Sequence, residues 1–369
     1  MSFKYGRSEK LENLLGILRD FSDSEKIMFG QQNCGHIGVS INATDGTESD
    51  CKNLTGSHPA VVGVDTLSFL GYEGKMNDLV TVIKNMHRQG LIVTLSAHIP
   101  NFTLGGDEFY DYSPNYTDGD CGRRILPGGD LNGKYKRFLD LIAEFAGSCI
   151  DVEGEKIPMI FRPFHECNGD WFWWGKSFMT DEEYIELYRF TVDYLIGDKG
   201  VDNISISYSP NGFINSEDEY LSRYPGDEYI DIMGLDLYND KPHKGDGFFQ
   251  KLTSSLNVVY DISKEKGKIL ALTEIGYRSL ETENGYFEGL APIDNTVPDW
   301  FTQLLNALIS TESGRRLAYM ATWANFSDTQ FWIPFATEDF RHEMCTDFIR
   351  FVEDSHIQMA PVFDFNARV

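Results

Sequence analysis

Short apolar, β-branched runs recur along the chain at residues 26–31, 60–65, 91–97, 158–164, 203–209, 229–236, 268–275 and 317–323. They lack the alternation of a strand with one wet face, and predict strands covered on both faces in a parallel sheet. Helical patterns fall between them, at 77–88, 131–145, 180–195, 248–264, 298–309 and 339–352. In the first, Leu79, Val80, Ile83 and Met86 recur at helical spacing. The third opens Thr180-Asp181-Glu182-Glu183, where Thr180 and Glu183 can satisfy each other's end amides. Eight strands alternating with helices predict a (β/α)8 TIM barrel, one catalytic domain over residues 1–369. A doubly wound open sheet fits less well. It usually has fewer strands, and no Gly-rich phosphate loop follows the first one here. The chain ahead of strand 1 reads as a polar helix. Residues 98–130, rich in Gly, Asp, Tyr and Asn, read as a long rim loop with Tyr110, Tyr112 and Tyr116 as candidate subsite walls.

Charge narrows the partners. The 32 basic and 57 acidic residues of this 369-residue chain leave a net charge of −25, which argues against nucleic acid and anionic membranes. Phe, Trp and Tyr make up 14% of the chain, a supply of ring faces suited to sugars. No run approaches the ~18 apolar residues of a membrane span. The six cysteines form no CxxC pair, so a zinc knuckle has no support, and their pairing stays open. No signal peptide heads the chain, yet six N-x-S/T sequons, at Asn42, Asn53, Asn101, Asn115, Asn203 and Asn325, favour a secreted, extracellular origin.

Candidate chemistry lies where strands end. Strand 4 runs into Arg162-Pro163-Phe164-His165-Glu166, and strand 7 into Leu272-Thr273-Glu274-Ile275-Gly276. Barrel curvature sets these ends roughly opposite each other across the mouth. Two carboxyls there are the minimal equipment for breaking a glycosidic bond. Glu166, in a turn that can reach over a sugar, is the expected acid/base. Its pKa should be raised by burial and by Glu274. Glu274 is the expected nucleophile, with Tyr238 at the end of strand 6 donating to it. Arg162 is expected to pair with a barrel carboxylate and hold a catalytic group in place. A metal hydrolase is disfavoured, since strand 1 carries no H-x-H and no third His joins His98 and His165. His58, His87 and His342 read as surface or helix residues. In the run Trp171-Phe172-Trp173-Trp174, alternation would put Trp171 and Trp173 on one face and Phe172 and Trp174 on the other.

Residues 162–175, reading RPFHECNGDWFWWG, resemble glycoside hydrolase family 26, mostly retaining β-mannanases on (β/α)8 barrels. Support comes from residues 58–65, 90–102 and 273–276, and the likeness extends over about residues 27–350. The resemblance implies Glu166 as acid/base and Glu274 as nucleophile. It further implies that His98 and His165 touch the sugar beside the scissile bond, Trp171 stacks near it, Tyr238 holds the nucleophile, and Trp323 is the platform beneath. The implied activity is hydrolysis of β-1,4-mannan or mannooligosaccharides without metal or organic cofactor. Two alternatives stand beside it: a β-1,3-xylanase or mixed-linkage β-glucanase of the same family, and a non-catalytic sugar-binding barrel.

Overall fold

The computed structural model describes residues 3–70, 75–105 and 113–363. Tyr110 and Tyr112 lie outside the described residues. Eight parallel strands close on themselves: β1 (Ile27–Gln32), β2 (Val61–Asp65), β3 (Ile92–Ala97), β4 (Met159–Pro163), β5 (Ile204–Tyr208), β6 (Ile232–Asp240), β7 (Ile269–Arg278) and β8 (Tyr319–Thr322). Closure is made by β8 against β1, with Met28 opposite Tyr319 and Gln31 opposite Thr322. The architecture is the expected (β/α)8 barrel, and every expected strand is present within a few residues of its expected limits. Two strands run longer than expected. β6 and β7 stay paired as far as Asp240 and Arg278 and raise a wall at one side of the mouth.

Strand alternation sorts side chains into two shells. Phe29, Val62, Leu95, Phe161, Leu235 and Leu272 face the helices. Met28, Val61, Ile92, Ile160, Ile232, Ile269 and Ala271 face inward at the base. The helix ahead of β1, Glu9–Ser24, is not merely polar. Leu11, Leu14, Leu15 and Leu18 form one buried stripe that packs on this inward layer and closes the barrel from below. Its N-terminus is capped by Ser8, whose side chain accepts from the Leu11 amide.

The helix Asp181–Val192 begins with the reciprocal Thr180–Glu183 cap expected from its sequence. The last expected helix is shorter than its pattern, spanning Cys345–Val352. The chain before it is diverted into a small antiparallel bridge between Ala336 and Arg341. His58, His87 and His342 are buried rather than exposed. Burial drives the first two down to a pKa of about 4, so they are neutral packing groups.

β7 departs from regular alternation where the chemistry is expected. Gly234 pairs with Ala271, but Asp236 pairs with Glu274, so β7 carries one extra residue between the two pairs. This β-bulge turns both Thr273 and Glu274 inward, where a regular strand would turn only one.

Candidate active site

Glu166 and Glu274 line one cleft of about 530 Å³ at the carboxyl end of the barrel, together with His98, His165, Trp171, Tyr238 and Trp323. All seven residues expected to contact substrate or carry chemistry are therefore brought together. A larger hollow of about 710 Å³ lies beside the hairpin after β7. Its acids Glu281, Glu283 and Asp294 are exposed, and it holds no buried carboxylate pair.

Glu274 has one hydrogen-bond donor on each oxygen. Arg162 donates to Oε1, and the Tyr238 phenol donates to Oε2. Arg162 is buried and also bonds Asp236 at 2.7 Å and Ser209 at 3.2 Å. Burial works against the guanidinium charge, but Asp236 and Glu274 outweigh it and push its pKa up. Asp236 is fixed in turn by Thr273, whose hydroxyl donates to it at 2.6 Å. The bulge thus serves two ends, since Thr273 anchors Asp236 while Glu274 faces the cleft.

Glu166 has different surroundings. Its backbone sits in the left-handed region at φ 54°, with Phe164 likewise at φ 51°. These two departures end β4 and swing His165 and Glu166 over the mouth. The Glu166 side chain is 8% exposed. Its Oε1 accepts from Asn211 Nδ2 and its Oε2 from Trp171 Nε1, each at 2.7 Å. Burial, and then the nearby Glu274 charge, push its pKa up to about 7 against the pull of these donors.

The two histidines meet edge to face at 4.6 Å. His98 Nδ1 lies 2.7 Å from Asp65 Oδ2, which orients the ring; that partner was not evident from sequence. Burial holds His165 well below its usual range, so it is neutral. Trp323 meets His98 at 5.6 Å. Trp171 is 41% exposed, an indole held by its N–H and open on its ring.

The alternation expected for the Trp171–Trp174 run does not hold. The run is a series of turns, so Trp171 lies over Glu166 while Trp173 is buried and donates to the Ile99 carbonyl. Phe172 and Trp174 do share a side, stacked at 4.4 Å. Of the rim tyrosines, Tyr116 is described. It does not line the cleft, and its carbonyl accepts from Asn101.

Among the described residues no group of three or more His, Cys, Asp or Glu converges on a metal-sized site. All six cysteines are buried thiols. Three of the six sequon asparagines, Asn101, Asn203 and Asn325, are at most 1% exposed, so a glycan cannot be carried there in the folded chain.

The fold and the cleft define a (β/α)8 barrel with a carboxylate pair in unlike environments at its mouth. The description glycosyl hydrolase family 26 matches residues 7–309, and the chain belongs to that family. Among its relatives is a mannan endo-1,4-beta-mannosidase of Bifidobacterium adolescentis, 37% identical over 313 residues, covering 81% of this chain and 30% of that protein. A mannan endo-1,4-beta-mannosidase of Bacillus subtilis is 28% identical over 248 residues, covering 64% of this chain and 62% of its own length. The chain thus spans less than two thirds of either relative. The catalytic domain of a Bacillus sp. JAMB-750 endo-beta-1,4-mannanase superposes with a TM-score of 0.89 at 38% identity, over 97% of this chain and 94% of that one. A modular endo-beta-1,4-mannanase from Cellulomonas fimi gives 0.88 at 35% identity, over 100% of this chain and 80% of that one.

Proposed function

We propose that this chain hydrolyses β-1,4-mannosidic bonds with retention of configuration. The observation that carries the reading is the contrast between two carboxyls in one cleft. Glu274 accepts from a guanidinium and a phenol, one on each oxygen, the setting of a nucleophile held in place. Glu166 is buried with its pKa raised to about 7, the setting of an acid that is still protonated near neutrality. The endo-mannanase names of the relatives support mannan as the substrate.

In the first step Glu274 attacks the anomeric carbon. The bond to the leaving sugar breaks, and its oxygen takes the proton of Glu166. In the second, the Glu166 carboxylate takes a proton from water. The water oxygen attacks the same carbon and releases Glu274. His98 and His165 line the sugar between these groups, Trp323 lies beneath it, and Trp171 offers a stacking face beside the scissile bond. Arg162 and Tyr238 hold Glu274 aimed at that carbon. No step uses a metal or organic cofactor. A polymeric substrate fits work outside the cell.

The test is time-resolved proton NMR of mannohexaose hydrolysis, beside a panel of mannan, β-1,3-xylan and mixed-linkage β-glucan. The expected result is cleavage of mannan alone, with the β-anomer appearing first. Products of mixed length would mark internal attack, and mannobiose alone would mark attack from a chain end. The α-anomer first, cleavage of xylan or glucan without mannan, or binding without cleavage would overturn the reading.

A further inference from the structure

The loop after β5 grips Glu166 at three places. The Ser209 carbonyl accepts from the Glu166 backbone amide at 2.8 Å, which helps hold that residue in its left-handed conformation. Two residues on, Asn211 Nδ2 donates to Glu166 Oε1. The third grip is indirect. Asn168, two residues past Glu166, donates its Nδ2 to the Asn211 carbonyl at 2.6 Å and accepts from the Asn211 amide at 2.7 Å. One side-chain amide thus pairs with both backbone polar groups of Asn211, and the pair locks the β5 loop onto the β4 loop.

We infer that Asn211 is a positioning residue for the acid/base carboxyl and that Asn168 is the clamp that holds Asn211 in place. Asn211 Nδ2 and Trp171 Nε1 can only donate. Each therefore takes up one lone pair of one Glu166 oxygen, in both protonation states. The carboxyl plane is fixed, and the acidic proton is confined to the remaining lone pairs. An unheld carboxyl could rotate about its last torsion, which is broad and soft. A donor acting from behind the carboxyl matters most where the leaving oxygen is strongly basic and needs the proton early.

The inference rests on the acid/base role given to Glu166 above, so its test separates the two. Asn211→Ala is assayed on mannohexaose and on a dinitrophenyl β-mannobioside, whose leaving group departs without protonation. For kcat/KM, which reports bond cleavage, the expected loss is about tenfold to a hundredfold on mannohexaose and less than about threefold on the activated substrate. Asn168→Ala, which leaves the Asn211 side chain intact, is expected to give the same contrast at smaller amplitude.

A second readout needs no substrate. Carboxyl-carbon NMR follows the titration of Glu166, which Glu274, Asp236, Arg162, Arg278 and Tyr238 also influence. Removing one N–H donor destabilises the carboxylate, so the midpoint in Asn211→Ala is expected to move upward by about one pH unit. Equal losses on both substrates, or an unmoved midpoint, would overturn the positioning role. A wild-type protein that cleaves neither substrate would sink the proposed activity, while the titration would still judge Asn211.

Discussion

Arg162 on β4 reaches across the barrel to Glu274 on β7, and one guanidinium thereby spans Glu274 and Asp236. A single buried cation serves two carboxylates, so its loss leaves both uncompensated. Arg162→Met is expected to cost about 3–5 kcal/mol of stability at pH 7.5. Burial already holds Asp236 above its ordinary value, and without the cation that opposes this it rises further. A carboxyl raised in the folded state loses stability as pH climbs above its unfolded value, so the deficit should be smaller at pH 4.5. Urea unfolding at the two pH values checks the sign.

Tyr238 supplies the other hydrogen bond to Glu274. Tyr238→Phe keeps the ring and removes only the hydroxyl. A bond to a charged acceptor contributes about 1.5–3 kcal/mol, so kcat/KM on mannohexaose should fall about tenfold to a hundredfold. An unchanged value would remove Tyr238 from the machinery.

The two glutamates can be told apart by the stereochemistry of rescue. With azide and a dinitrophenyl β-mannobioside, Glu274→Ala is expected to yield the α-azide, because azide replaces the nucleophile on the face opposite the leaving group. Glu166→Ala is expected to yield the β-azide, because azide then attacks the glycosyl-enzyme. Exchanged products would reverse the two roles.

Glu166 also carries a pH signature. Its raised pKa predicts that kcat/KM declines above about pH 7 as the acid ionises. The same shift has a stability sign. Between its ordinary value and about 7 the folded protein holds a proton that the unfolded chain releases, so this group destabilises the fold as pH rises through that window. Glu166→Gln should therefore be inactive on mannohexaose yet more stable than wild type at pH 8, by up to about 3 kcal/mol. The difference should vanish near pH 4.

The leucine stripe below the barrel gives a prediction independent of the chemistry. Leu15→Ala leaves a cavity between the closing helix and the inward layer of strands, and should cost about 2–5 kcal/mol in urea unfolding. Specific activity of the folded fraction should not change.

Much of this was legible in the sequence because burial and chain order dictate it. Strands covered on both faces must be apolar throughout, so β1–β8 stand out, and a carboxyl at a strand end stays at the mouth whatever the loops do. The Thr180–Glu183 cap is local and needs no tertiary knowledge. The Leu11, Leu14, Leu15, Leu18 stripe was equally visible at helical spacing, but the charged residues around it mask its purpose. Other features depend on pairing between distant segments. Nothing in the order of residues 269–278 announces a bulge, which exists only in register with β6. Asn211 simply follows Ser209-Pro210, and its meaning comes from a loop 43 residues earlier. The tryptophan run misled because alternation holds in strands, and this segment turns.

The bulge in β7 makes the position of Glu274 a matter of counting. Iron the bulge out, so that Thr273 rather than Glu274 sits opposite Asp236, and the composition of the strand is unchanged, but its phase is not. The carboxylate would then point into the jacket of helices, with an apolar neighbour in its place. A barrel with every binding side chain intact would have lost its reaction to a half-period slip, so the chain's chemistry is encoded there as spacing rather than as residue identity.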